Sequence, residues 1–374
     1  MTATRLLTVA VVAAAVLAAR ARPAAGYPQY QLSRDQTCTG CHLSPSGGGL
    51  LNENGIATAE ATAQWSAGSS AFLHGALGTP DWLALGGDAR AATGLIQDRG
   101  VGAAAYPMQA EIYASAGAHG FTLNVTGGLR SPQDGGSIAH VVWSREHYAM
   151  WQQHPGQGEG LYVRAGRFMP VYGLRLAEHA IYTERYGGLP LFGEAYGAAI
   201  EYVDRAFEVH ATGFVHDTLA SAVEHGDGGA LYAEARLGEH AAIGLEGKYT
   251  GSDELHVTYG GVTGKAYLPG ADLLIQAEVE VAHDRVMAGG TADRIMAYAL
   301  ASWPIRDGWL LDLGAGHYTQ DTQVKGLDRD CLDGNLHWFT TSHIELTLDT
   351  RLEALDHGAG PIGGYALIQL HYRL

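Results

Sequence analysis

From Trp82 to Leu374 apolar and polar side chains alternate with a period of two, the mark of strands that present one apolar and one polar face. The clearest run is His343 to Leu355. Ile344, Leu346, Leu348, Leu352 and Ala354 share one face, while His343, Glu345, Thr347, Asp349, Arg351 and Glu353 share the other. Leu273, Ile275, Ala277, Val279 and Val281 alternate with Gln276, Glu278 and Glu280 in the same way. Leu231 to Leu237 and Phe207 to Thr212 repeat the pattern, and Tyr365 to Leu374 carries it to the end of the chain. The signal is weak in each single strand, and Val141 to Trp151 alternates poorly.

Tight turns are expected near His119-Gly120, Asp204-Arg205, Gly238-Glu239, Pro304 to Asp307 and Thr340 to Ser342. Longer glycine-rich or polar stretches near residues 98–105, 131–138, 169–193, 217–228 and 320–334 fall between them. The spacing predicts about sixteen strands, an even number joined alternately by short turns and long loops. A soluble sandwich would solvate one face of such strands. Here the alternation runs on with no helical domain to cover either face, so residues 81–374 are expected to form a transmembrane antiparallel β-barrel. Its apolar side chains would meet outer-membrane lipid. Glu111, Glu201, Glu208, Glu234, Glu246, Glu278, Glu280 and Glu345 would line the lumen, either favouring cations or pairing with Arg164, Arg236, Lys248 and Arg351.

The N-terminus has a different pattern. Arg5 precedes an apolar stretch, Leu6 to Ala19, too short to span a bilayer, and Ala24-Ala25-Gly26 supplies small residues for cleavage. Residues 1–26 are therefore read as a signal peptide and residues 27–80 as a small segment ahead of the barrel. Fifty or so residues are close to the lower limit for independent folding, so this segment is expected to lean on the barrel. Within it, Leu50 to Trp65 has helix-compatible content interrupted by Gly55.

Composition adds two constraints. The 52 glycines and 19 tyrosines against 7 phenylalanines suit tight turns and interfacial aromatics. A formal net charge of −16 lacks the basic footprint that nucleic-acid binding needs.

The sharpest chemical signal is Cys38-Thr39-Gly40-Cys41-His42, a C-x-x-C-H motif. Two thiols at this spacing can form thioethers to the two vinyl groups of one haem, and His42 then supplies the proximal iron ligand. A zinc site would need further ligands that the surrounding sequence does not offer, and a thioredoxin-like pair would need a βαβ context. The expected cofactor is one covalent haem c. Cys331, alone among polar residues, is read as a loop thiol. Between residues 27 and 80 there is no methionine, and His74 is the one histidine besides His42. His74 is thus the expected distal iron ligand if this segment supplies both, with His119, His210 or His283 of the lumen, or an open site, as alternatives. No catalytic triad stands out.

A C-x-x-C-H near the mature N-terminus followed by a barrel resembles the fused monohaem cytochrome–porin family, whose best-known members are outer-membrane iron oxidases of chemolithotrophic bacteria. The resemblance covers the whole mature chain, but only Cys38 to His42 is a sharp motif. Gly166-Arg167-Phe168-Met169-Pro170 with Tyr172-Gly173-Leu174 is also similar to a loop entrance in phosphate-selective porins. The family resemblance implies electron transfer through the outer membrane of a Gram-negative bacterium, between an extracellular donor or acceptor, such as Fe(II), and a periplasmic cytochrome. Two other roles remain open: a passive porin with a haem-bearing plug or sensor, and a barrel partner in a multihaem conduit.

Overall fold

The structure is a computed structural model, and it describes residues 32, 37–97, 100–129, 142–215 and 226–374. The proposed signal peptide and its cleavage site lie outside the described residues, as do the predicted loop at 131–138 and most of that at 217–228.

A short helix, α1 (Glu53–Thr62), precedes the strands. Among the described residues sixteen strands follow: β1 (Leu83–Gln97), β2 (Val101–Ala118), β3 (Phe121–Leu129), β4 (Val142–Gln152), β5 (Gly160–Phe168), β6 (Ala195–Val203), β7 (Phe207–Val215) and β8 (Asp227–Arg236). The second half contains β9 (Ala241–Gly251), β10 (Leu255–Leu268), β11 (Leu273–Val286), β12 (Thr291–Arg306), β13 (Trp309–Thr319), β14 (Asp328–Thr341), β15 (Ile344–Leu355) and β16 (Ile362–Arg373). Each pairs antiparallel with its sequence neighbours, and β1 pairs with β16 to close the ring. Closure leaves no strand of the ring without a neighbour on either side. No helix among the described residues is long and apolar enough to cross a membrane.

The period-two pattern maps onto the wall as expected. Leu123, Leu231, Leu245, Leu332, Leu352 and Ile368 stand exposed on the outside. The eight glutamates named above all point inward and are buried. An apolar outer belt around a charged interior is the arrangement that lets a barrel stand in lipid. Trp309 stacks on Trp338 with ring centroids 5.1 Å apart, on outward positions at the short-turn end.

Some boundaries differ from the sequence reading. β2 already begins at Val101 and β14 at Asp328, so the loops predicted at 98–105 and 320–334 are shorter. Cys331 is not in a loop: it lies on β14, buried, with its thiol 3.9 Å from Asp333 Oδ2. The poor alternation of β4 has a physical cause. The β3–β4 register shifts between Thr126 and Gly127, so Arg145 is the extra residue of a bulge. Arg145 and Glu146 then both turn inward, Arg145 to Glu194 and Glu146 to the backbone N–H of Met169.

Two segments fill the lumen. The N-terminal segment covers the short-turn end: Gln64 and Trp65 donate backbone N–H groups to Phe339 and Thr340 carbonyls, at 2.9 and 3.0 Å. From the opposite end, residues 169–194 fold inward between β5 and β6 and include α2 (Tyr182–Arg185). Tyr172 Oη donates to Glu280 of β11 at 2.6 Å, Tyr182 Oη to Glu353 of β15 at 3.0 Å, and Lys248 of β9 donates to the Gly188 carbonyl at 2.6 Å. The loop is thus bonded to widely separated walls. Glu280 and Arg164 keep no measurable exposure, so this level of the lumen is packed with protein.

Candidate haem-binding cavity

Cys38-Thr39-Gly40 forms one 3₁₀ turn, capped by the Thr37 hydroxyl, which accepts from Gly40 N–H at 3.1 Å. The same turn is fastened to the barrel: Thr39 Oγ1 donates to the Gly158 carbonyl in the β4–β5 connection at 2.5 Å. Gly158 is left-handed at φ +70°, and a Cβ there would sit 3.0 Å from the Thr39 carbonyl. Helix α1 packs back on the motif, and its Gly55 makes this approach feasible. A Cβ at Gly55 would lie only 2.1 Å from the Cys41 carbonyl oxygen. The glycine that interrupts the helical pattern is therefore the contact residue between helix and motif.

Arg164 ties the following turn to the wall. Its guanidinium makes a two-pronged pair with Glu201, at 2.9 and 2.8 Å, and donates to Ser46 Oγ at 2.9 Å. It also lies over the Phe168 ring, 4.2 Å from the centroid. Arg175 pairs with Glu208 and donates to the Pro45 carbonyl at 3.3 Å. Ser46 Oγ in turn donates to the Met169 carbonyl at 2.5 Å.

Between the N-terminal segment and the inward loop lies a cavity of about 450 Å³. That falls within the roughly 300–1,000 Å³ of small-molecule and cofactor sites. Cys38, Cys41 and His42 all line it. Cys38 and Cys41 are not joined as a disulfide. Burial pushes the Cys38 thiol up from its ordinary range. His42 Nδ1 is 3.0 Å from the Gly48 carbonyl, which makes Nδ1 the N–H and leaves Nε2 with its lone pair. Burial, together with nearby Arg373, lowers the His42 imidazole to about 4, so the ring is neutral at physiological pH, the form a metal requires. Arg90, Arg145, Arg175 and Arg373 also line the cavity, beside Asp88, Glu111, Glu146 and Glu184; Arg145 and Arg175 are taken by Glu194 and Glu208, so Arg90 and Arg373 would be the cations for two propionates. Thiols, neutral imidazole, volume and cations fit a haem c.

The expected distal ligand lies elsewhere. His74 is exposed, its Nε2 is 2.8 Å from Tyr372 Oη, and its ring packs on His343 at 3.9 Å. His74 does not line the cavity, and neither do His119, His210 or His283. His210 is buried between Glu201 and Glu208, His283 pairs with Asp293, and His119 occupies a turn at φ +52°. Two ligand-capable side chains that sequence reasoning passed over do line it, Met169 and His179, both on the inward loop. Met169 is the better fixed, with its N–H on Glu146 and its carbonyl on Ser46. The porin-like stretch at 166–174 marked this place without revealing that it turns into the lumen.

Several of the interior acids pair, though not always with the expected partners. Glu201 takes Arg164, but Glu208 takes Arg175 and Glu234 takes Lys265, at 2.6 Å. Arg351 pairs with Asp333 at 2.7 Å, and Glu345 contacts His337 and His371 at 2.8 and 3.1 Å.

No family model and no curated protein matches this sequence. Solved structures do match its fold. The chain is similar to OmpTdeltaL8, a loop-deletion mutant of the Vibrio cholerae outer membrane protein OmpT, at 16% identity and a TM-score of 0.61, covering 78% of this chain and 99% of that one. It is similar to an anion-selective porin from Comamonas acidovorans at 11% identity and 0.58, covering 78% and 99%. A Salmonella typhi OmpF complex gives 11% identity and 0.55, covering 78% and 97%. The fold is therefore that of a porin-like, sixteen-stranded outer-membrane barrel.

Proposed function

We propose that this protein is an outer-membrane electron conduit, carrying electrons by way of a haem c attached at Cys38 and Cys41 with His42 Nε2 as proximal ligand. The observation that supports it is the placement of both thiols and a neutral His42, its Nδ1 held by Gly48, on one cavity inside the barrel. A haem bound there supplies reversible one-electron chemistry at iron. The chain's own residues hold and shield it. Thr39 and Gly158 fix the attachment turn, Gly55 seats α1 against it, and the inward loop lines the far side. Met169 would be the residue to hold the iron with His42, and a Met/His pair would raise the potential relative to two histidines. The acidic interior favours a cationic donor such as extracellular Fe(II), with a periplasmic cytochrome as acceptor. Export through cleavage of residues 1–26 and insertion in outer-membrane lipid belong to the same reading.

A second reading, favoured by the likeness to porins, is a passive porin whose haem-bearing segment is a plug or sensor. Stopped-flow mixing of oxidised protein with Fe(II), alongside planar-bilayer conductance, separates the two. Rapid haem reduction with little ion conductance supports the conduit. Steady conductance with no reduction by Fe(II) or other reductants would leave the porin. Co-purification of multihaem cytochromes would point instead to a barrel partner in a larger conduit.

A further inference from the structure

At the long-loop end of the barrel, three separate elements bring His317, Asp330 and His357 together. His317 on β13 and Asp330 on β14 are cross-strand partners in the ladder. His357 lies in the turn between β15 and β16, in left-handed backbone at φ +48°. Such a conformation is uncommon for a residue other than glycine, and it persists where the surroundings hold it.

The two imidazoles present the same nitrogen to one carboxylate. His317 Nδ1 is 2.8 Å from Asp330 Oδ1, and His357 Nδ1 is 3.0 Å from Asp330 Oδ2. The rings lie parallel within 4°, their centroids 5.7 Å apart. The opposite nitrogens have partners of their own. His357 Nε2 is 3.3 Å from Asp328 Oδ2, and His317 Nε2 is 3.0 Å from Thr319 Oγ1. The Thr319 hydroxyl donates its proton to Asp328 Oδ1 at 2.6 Å, so it can only accept from His317. His317 therefore spends its Nε2–H on Thr319, while His357 Nε2 lies within ion-pair distance of Asp328. In a neutral imidazole the Nδ1 lone pair then faces an Asp330 oxygen, an arrangement that a cation between them stabilises.

We propose that His317 Nδ1, His357 Nδ1 and Asp330 form a binding site for one divalent first-row transition-metal ion. Two imidazoles and a carboxylate suit ions such as Zn²⁺, Co²⁺ or Fe²⁺ rather than Ca²⁺ or Mg²⁺. The three ligand atoms lie within 4.8 Å of one another, near the span that metal-bond lengths of about 2.0–2.2 Å require. Asp328 and Thr319 orient the rings from behind, as the outer partners of metal-bound histidines do. His317 and Asp330 occupy the same strand faces as exposed Leu313 and Leu332 but lie closer to the loops. The site thus sits on the outer rim, above the apolar belt and open to dissolved ions. A bound ion would tie the β13–β14 hairpin to the β15–β16 turn and stabilise the folded barrel by mass action. None of its residues lines the haem cavity, so the site stands apart from the electron-transfer reading.

Co²⁺ is the probe, added to chelator-stripped, full-length protein in detergent. One tightly bound ion per chain is expected, with visible d–d absorption and a higher unfolding temperature. His357→Ala and Asp330→Asn should each weaken binding at least tenfold and abolish that absorption. Asp328→Asn, which leaves the ligands in place, should cost about 10–100-fold. A Cys38→Ala/Cys41→Ala protein should bind Co²⁺ as the native chain does. Heat-modifiable gel migration checks folding, and His357→Ala, in an exposed turn, decides the matter if Asp330→Asn fails to fold. Absence of tight Co²⁺ binding by the native barrel, or unchanged affinity in His357→Ala, would overturn the proposal.

Discussion

The Ser46 hydroxyl donates a 2.5 Å hydrogen bond to the carbonyl of Met169, a residue 123 positions away in the chain. Ser46 follows the C-x-x-C-H motif by four residues, and Met169 opens the loop that enters the lumen from the other end. One bond thus joins the two segments that enclose the cavity.

That bond bears on iron coordination. With haem attached, Met169→Ala should lose the far-red charge-transfer band of ferric Met/His haem and lower the reduction potential, because the thioether raises it. His74→Ala should leave the visible and EPR spectra unchanged, since His74 is engaged by Tyr372 outside the cavity. A spectrum that changes in His74→Ala and not in Met169→Ala would return the distal position to His74.

Replacing Cys38 and Cys41 together with Ala should abolish covalent haem staining. The barrel should still form, because its closure rests on the β1–β16 ladder and not on the motif. Heat-modifiable migration and a β-type far-UV spectrum check the second half. Covalent haem in the double mutant would refute attachment at this motif.

Gly55→Val tests the seating of α1. A Cβ at this position would meet the Cys41 carbonyl at 2.1 Å, so helix and motif must separate. Overpacking of this kind costs about 1–3 kcal/mol. The expected result is a lower yield of covalent haem and faster proteolysis of the N-terminal segment, with an intact barrel.

Arg164→Ala should destabilise the protein strongly. Arg164 and Glu201 are both fully buried, and removing the guanidinium leaves Glu201 its 3.3 Å contact with His210 in place of a two-pronged ion pair, where breaking a buried pair costs about 3–5 kcal/mol. Arg164→Ala/Glu201→Gln should recover part of the loss, read as the temperature of the heat-modifiable gel shift. Equal midpoints for the native and Arg164→Ala proteins would remove the pair from the account of stability.

Local chemistry made the barrel and the motif legible in the sequence. Alternate side chains of a strand point to opposite faces, so Leu346, Leu348 and Leu352 had to lie opposite Glu345, Thr347 and Asp349, whatever their partners. Cys38 to His42 needs only its own spacing to be recognised. What fills the lumen was not legible in this way. A glycine-rich stretch at 169–193 reads as a loop, and nothing within it says that it turns inward to meet Glu280, Glu353 and Ser46. The bulge at Arg145, the burial of Cys331 on β14, and the presence of Met169 rather than His74 on the cavity wall depend on residues far apart in the chain. The sequence by itself determined which faces are wet and which five residues form the proposed attachment motif, because both follow from neighbouring residues. Only the tertiary structure decided which side chains surround that place, because ring closure fixes which distant segments share the interior.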